Sequence, residues 1–146
     1  MIYIGCDHGG FALKQEIFKY IKEDLALEIE DLGCHDTSSV DYPDYAEKVC
    51  RKVVSENAKG ILICGTGIGI SIAANKINGI RCALCSEPFS AEMTRKHNNA
   101  NVLAMGGRTT GPELAKSIVK AFLSTDFEGG RHQNRLDKIS ALENSK

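Results

Sequence analysis

The stretch Ile61–Lys76, ILICGTGIGISIAANK, decides how the rest of the chain is read. An apolar run leads into Cys64, a glycine-rich turn follows at Gly65-Thr66-Gly67-Ile68-Gly69, and a helix-compatible segment opens near Ile70. That order describes a buried strand, a tight turn and a helix N-terminus, with a thiol at the strand's end. The first N–H groups of a helix lack partners and carry partial positive charge, so they gather anions. The same field favours the thiolate form of a neighbouring cysteine. A thiol beside an anion cradle reads as an active site.

Outward from that turn, short apolar runs alternate with amphipathic segments. Ile2–Cys6 is a strand closed by Asp7-His8-Gly9-Gly10, and Leu13, Ile17, Ile21 and Leu25 repeat every four residues as a helix, with Lys14, Lys22 and Glu23 between them. A weaker strand is expected around Leu27–Leu32. Asp41-Tyr42-Pro43-Asp44 then offers helix-start chemistry ahead of Tyr45, Ala46, Val49, Cys50 and Val53. Past the glycine turn come a strand near Arg81–Cys85, a helix opened by Glu87-Pro88, and a strand at Val102–Met105 ending in Gly106-Gly107-Arg108. A helix from Pro112 carries Leu114, Ile118 and Phe122, and a terminal helix runs from Arg131 to Glu143. Strands separated by helices imply parallel βαβ units with both sheet faces covered. The expectation is one α/β domain over residues 1–146 with a five-stranded parallel sheet, its functional loops at the strands' C-terminal edge.

Composition narrows the function. The 146 residues are 42% hydrophobic and 25% charged with a net charge of -1, which gives no electrostatic drive towards nucleic acid or anionic membranes. No apolar run approaches the ~20 residues that span a bilayer, and the N-terminus lacks secretory-signal features. Most of the six cysteines sit in apolar runs, as intracellular thiols do. A reduced, cytoplasmic protein is expected. Cys82 and Cys85 form a C-x-x-C, but no further ligands stand at zinc spacing, so buried small hydrophobes are the favoured reading.

Dinucleotide binding is the competing reading of the turn. Gly65 and Gly67 begin G-x-G-x-x-G, but position 70 is isoleucine and the turn belongs to the third βα unit, although Glu87 falls near the place of a ribose-binding acid. A Walker loop fails for want of Gly-Lys-Ser/Thr. Cys64 alone would be a packed core residue. Beside Thr66 and three glycines the functional reading gains, since glycine lets backbone N–H groups approach a ligand. Asp7-His8 reads either as an Asx-type turn or as a ligand-facing pair. His97-Asn98-Asn99 looks, in isolation, like a helix end. Arg131 and Arg135 share a helix face, as a phosphate clamp or a solvated basic face, with His132 pointing elsewhere. Arg108 is a further anion-binding candidate. No metal or organic cofactor is expected. Together these residues suit proton transfer on a small phosphorylated substrate.

GCDHGG at 5–10, DYPDYA at 41–46, GILICGTGIGISIAANK at 60–76, RKHNNANVLAMGGR at 95–108 and EGGRHQNR at 128–135 together resemble the ribose-5-phosphate isomerase B family, which includes the galactose-6-phosphate isomerase subunits. The resemblance spans essentially the whole chain. It implies a Rossmann-like or flavodoxin-like αβα sandwich, and a homodimer, paired into tetramers in some members, whose active sites draw on two subunits. It implies that Cys64 is the base that moves a proton between C2 and C1, with the Gly65, Thr66, Gly67, Ile68 and Gly69 turn stabilising a cis-enediolate. His97 would open the sugar ring as acid, and Asp7 and Tyr42 would contact sugar oxygens. His8, Arg108, Arg131 and Arg135 would hold the phosphate and Asn98 the sugar, with His97, Asn98 and Arg108 supplied by the partner subunit. A second branch of the family uses a glutamate base where this chain has Ile70. The implied reaction interconverts ribose 5-phosphate and ribulose 5-phosphate. The alternatives are a six-carbon substrate (allose 6-phosphate or galactose 6-phosphate) or a non-catalytic sugar-phosphate-binding module.

Overall fold

A computed structural model describes residues 1–145 as a parallel five-stranded sheet between two helical layers. The strands are β1 (Ile2–Cys6), β2 (Ile29–Asp31), β3 (Lys59–Cys64), β4 (Cys82–Leu84) and β5 (Val102–Gly106). The helices are α1 (Phe11–Lys19), α2 (Tyr42–Glu56), α3 (Ile68–Ala74), α4 (Pro88–Asn98), α5 (Pro112–Ser124) and α6 (Arg131–Asn144). Among the described residues no helix is long and apolar enough to cross a membrane.

Strand alternation sorts the core into two faces. Ile61 and Ile63 of β3 pack with Leu13 and Ile17 of α1 and with Ile118 and Phe122 of α5. Leu62 and Cys64, pointing the other way, pack with Val49 and Val53 of α2 and with Ile70 of α3. Cys64 therefore sits on the face that α2 and α3 cover.

The αβα class matches expectation, and the lateral order is a refinement. The strands run β2-β1-β3-β5-β4, so β4 occupies the edge and the last two strands are exchanged relative to the flavodoxin-like order. The short β4 edge is blunted by Asn75, whose side-chain amide donates to the Cys82 carbonyl at 2.9 Å and accepts from the Cys82 N–H at 2.8 Å. The chain diverges at β1 and β3, since β1 leads outward to β2 and β3 leads the opposite way. In open α/β sheets such a switch point, here the C-terminal ends of β1 and β3, is where ligand crevices form.

Two local features depart from the sequence reading. The first helix passes at its end into a wider turn over Tyr20–Asp24, where the Leu25 N–H donates to the Tyr20 carbonyl at 3.0 Å. A strict repeat of four drifts about 40° per turn on an α-helix. The wider turn absorbs that drift and keeps Ile21 on the core face. Lys14, expected on the polar side, is wholly buried. Its ammonium lies 2.8 Å from Asp31 Oδ1 and also donates to the Cys34 carbonyl, while the same Asp31 oxygen accepts from the Gly33 N–H.

This pair makes an asymmetric prediction for stability. Asp31→Asn strands a fully buried cation and is expected to cost about 3 kcal/mol. Lys14→Met should cost less, about 1 kcal/mol, because the abandoned carboxylate is 21% exposed and takes up water. Urea unfolding of the two variants checks the order, and equal losses would refute it.

Candidate functional site

The sheet register assembles the site. Cys6 stands opposite Ile63, and Cys64 stands opposite Gly106, so residues 7, 65 and 107 leave the sheet within one residue of the same level. The three loops are then stitched together. The Asp7 N–H donates to the Ile63 carbonyl at 3.2 Å, the Gly107 N–H to the Cys64 carbonyl at 2.8 Å, and the Arg108 N–H to the Gly65 carbonyl at 2.9 Å. A Cβ on Gly9 would lie 3.1 Å from the Gly65 nitrogen, and one on Gly107 would lie 2.5 Å from the Gly9 carbonyl oxygen. Side chains at these positions would push the loops apart.

Within the Cys64 turn the backbone reverses at Gly67, whose φ of +79° suits glycine and whose missing Cβ would meet Met105 at 2.7 Å. Helix α3 begins immediately after, at Ile68, slightly earlier than the sequence indicated. The Gly67 N–H donates to Cys64 Sγ at 3.2 Å, the kind of contact a thiolate accepts. Thr66 Oγ1 accepts from the Ile68 N–H at 3.3 Å, which leaves its hydroxyl proton for a ligand. Among the described residues, the N–H groups of Gly65, Thr66, Gly69 and Ile70 donate to no acceptor. They form a cradle of the type that stabilises an oxyanion.

The rim is built from three further side chains. The Tyr42 ring lies on Gly69, where a Cβ would come within 2.6 Å of its Cζ. Arg108 lies over Gly65, with Nη1 3.2 Å from the same hypothetical atom. Asp7 is buried, and its Oδ1 accepts from the Gly9 and Gly10 N–H groups at 2.9 and 3.2 Å. The Asx-type turn is present, and it leaves Oδ2 free of these bonds. His8 Nδ1 accepts from the Val40 N–H at 3.2 Å, so its second nitrogen carries the proton and is available as a donor.

The other candidates form a second group. His97 lies in the last turn of α4, with Asn99 in the left-handed cap position. Its ring stacks on that of His132, with centroids 4.5 Å apart and planes 20° from parallel. Asn98, Arg131 and Arg135 are exposed on the same two helices, α4 and α6. Among the described residues no hydrogen bond or ion pair joins His97, Asn98, Arg131 or Arg135 to the Cys64 turn. One correction follows. Arg108 sits with the Cys64 group of its own chain instead of travelling with His97. His132 points away from the arginine face, as the spacing indicated, and meets His97 there.

Four of the other thiols are raised by burial, Cys6 and Cys50 up to about 12, Cys85 up to about 11, and Cys82 as well. All six cysteines are free. Glu87, the would-be ribose acid, caps α4 by accepting from the Ser90 N–H at 3.0 Å, and those Ser90 bonds hold its carboxyl below the usual range. Ile70 is fully buried.

His97, Glu128 and His132 are the group among the described residues with a metal-ligand composition. The imidazoles stack nearly parallel, so their in-plane lone pairs do not converge on one ion without turning a ring. A groove of about 470 Å³ opens between α4, β4 and α6, lined by Arg81, Asn98, Ile139 and Leu142. The Cys64 loop does not reach it.

Comparison with known proteins places this arrangement. The ribose/galactose isomerase family model matches residues 2–139. A putative sugar phosphate isomerase of Bacillus subtilis is 56% identical over 97% of this chain and 96% of its own length. Ribose-5-phosphate isomerase B of Escherichia coli is 53% identical over 97% of this chain and 95% of its own. The solved structure of the Clostridium thermocellum ribose-5-phosphate isomerase B superposes with a TM-score of 0.96 at 50% identity, covering 99% of this chain and 97% of that one. The crevice loops, their glycines and the strand-end thiol thus stand in a chain that belongs to the ribose/galactose isomerase family.

Proposed function

We propose that this chain interconverts D-ribose 5-phosphate and D-ribulose 5-phosphate. Cys64 acts as the base that carries a proton between C2 and C1, and the Gly65–Ile70 turn holds the cis-enediolate oxygens. The observation that carries the reading is the Cys64 turn itself, with a sulfur that accepts the Gly67 N–H beside four unspent N–H donors. A C2 proton is weakly acidic, so the developing oxyanion needs such donors, each worth about 3 kcal/mol. The family and the relatives named ribose-5-phosphate isomerase B support the substrate. A sugar phosphate needs nothing from the other thiols and no organic cofactor.

The site works as two half-sites in a homodimer. One copy supplies Asp7, His8, Tyr42, Cys64–Gly69 and Arg108. The other supplies His97 as ring-opening acid, Asn98 for the sugar, and Arg131 and Arg135 for the phosphate. Support comes from the separation of the two groups within one chain, and from Ile68 and Ile72 of α3, Leu84 of β4 and Phe89 of α4. These four are 51%, 58%, 44% and 68% exposed, with Ile68 in the turn and Leu84 against Gly67, apolar area that a second copy would cover. Six free thiols suit a reducing compartment such as the cytoplasm.

Pocket depth, set by the partner's α4 and α6, selects chain length. Comparing kcat/KM on ribose 5-phosphate, allose 6-phosphate and galactose 6-phosphate tests the assignment. Ribose 5-phosphate is expected to lead, and a six-carbon substrate turning over faster would reassign the enzyme within the same chemistry.

A further inference from the structure

We infer that His132 is a positioning residue for His97, holding the ring-opening acid in its plane by stacking and tying it to the arginine pair. This inference rests on the ribose-5-phosphate isomerase reading. The two rings lie 4.5 Å apart and 20° from parallel, an offset-stacking geometry. The His97 side chain is 43% exposed, so its own helix leaves it free to turn, whereas the His132 side chain is 11% exposed and fixed. Glu128 anchors the fixed ring, with Oε1 3.3 Å from His132 Nε2 and 4.0 Å from His97 Nε2. The backbone adds a second tie, since the Glu128 N–H donates to the Lys96 carbonyl at 3.1 Å.

The placement of His132 within α6 gives the contact its purpose. His132 and Leu136 are the buried residues of α6, while Arg131 and Arg135 point outward one residue before each of them. Leu136 seats α6 and with it the arginine pair, and the stack fixes the plane of His97 relative to that pair. A substrate gripped by its phosphate would meet the acid at a set distance. Misplacing a reacting group by about 1 Å can cost a hundredfold in rate.

Ring opening is the step that depends on this geometry. The C1–O4 bond breaks with its electron pair going to O4, which takes a proton from the His97 imidazolium. The O1 hydroxyl gives its proton to water as the C1=O1 bond forms, and water returns a proton to His97. Ribulose 5-phosphate has its C5 hydroxyl esterified and stays acyclic, so exchange of its C1 proton with solvent needs Cys64 and the cradle but no ring opening.

The experiment uses that difference. His132→Ala and His132→Phe are assayed for turnover of ribose 5-phosphate and for C1 deuterium exchange at saturating ribulose 5-phosphate. His132→Ala is expected to lose about tenfold or more in ribose 5-phosphate turnover, with exchange held within about twofold. His132→Phe keeps a stacking face and should recover turnover to within about threefold of wild type. Equal losses in both assays, no loss in either, or a phenylalanine variant as poor as the alanine one would overturn the inference. A wild-type protein that neither turns over ribose 5-phosphate nor exchanges the ribulose 5-phosphate proton would overturn the underlying reading, and this inference with it.

Discussion

Cys64→Ala is expected to lower kcat on ribose 5-phosphate by about a thousandfold, within the span that a lost general base costs. The chain holds no substitute at that place. Asp7 commits one carboxylate oxygen to the Gly9 and Gly10 N–H groups. Burial raises Cys6, Cys50, Cys82 and Cys85, which leaves them protonated near neutrality. Isoleucine fills position 70, so the glutamate of the family's other branch is missing too. Cys64→Ser should fail comparably, because a hydroxyl is a far weaker base than a thiolate. The fold should survive both changes. Removing one sulfur from a site with 5% exposure opens a small cavity, worth about 1 kcal/mol. Solvent exchange of the C2 proton, measured with turnover, separates lost chemistry from lost binding. Near-wild-type exchange in Cys64→Ala would remove the thiol from the mechanism.

Much of this architecture was legible in the sequence because it rests on period and punctuation. The alternation of apolar runs with amphipathic segments is what a parallel sheet with two covered faces requires. Gly67 and Gly69 mark a turn where a Cβ would strike Met105 or Tyr42. Lateral strand order was not legible, because periodicity reports which face a residue takes and not which strand lies beside it. Lys14 was misread for a related reason. A lysine between apolar positions looks solvated until Asp31 and the Cys34 carbonyl are known to meet it from distant sequence. His132 was legible in part. Helical spacing separates it correctly from Arg131 and Arg135, but only the packing of α6 on α4 reveals that its side is the buried one. Arg108 was placed with the partner by resemblance, and the stitching of β3 to β5 returns it to the Cys64 loop.

That division of residues between two groups yields the second large effect. Cys64→Ala and His97→Asn homodimers should each be nearly inactive on ribose 5-phosphate. Mixed, unfolded and refolded together, they should regain about a quarter of wild-type activity, because an isologous dimer carries two equivalent composite sites. In a mixed dimer one site combines both lesions and is dead. The other joins the intact Cys64 of one chain to the intact His97 of its partner. Random pairing makes about half of the dimers mixed, and half of their sites work. If each site were built within a single chain, every site in the mixture would carry one lesion and no activity would return. The observation behind this expectation is local: α4 and α6 hold His97 against His132, while Arg108 and Tyr42 close on the glycine turn. Recovery therefore reads out directly whether the thiol and the imidazole that serve one sugar belong to different chains.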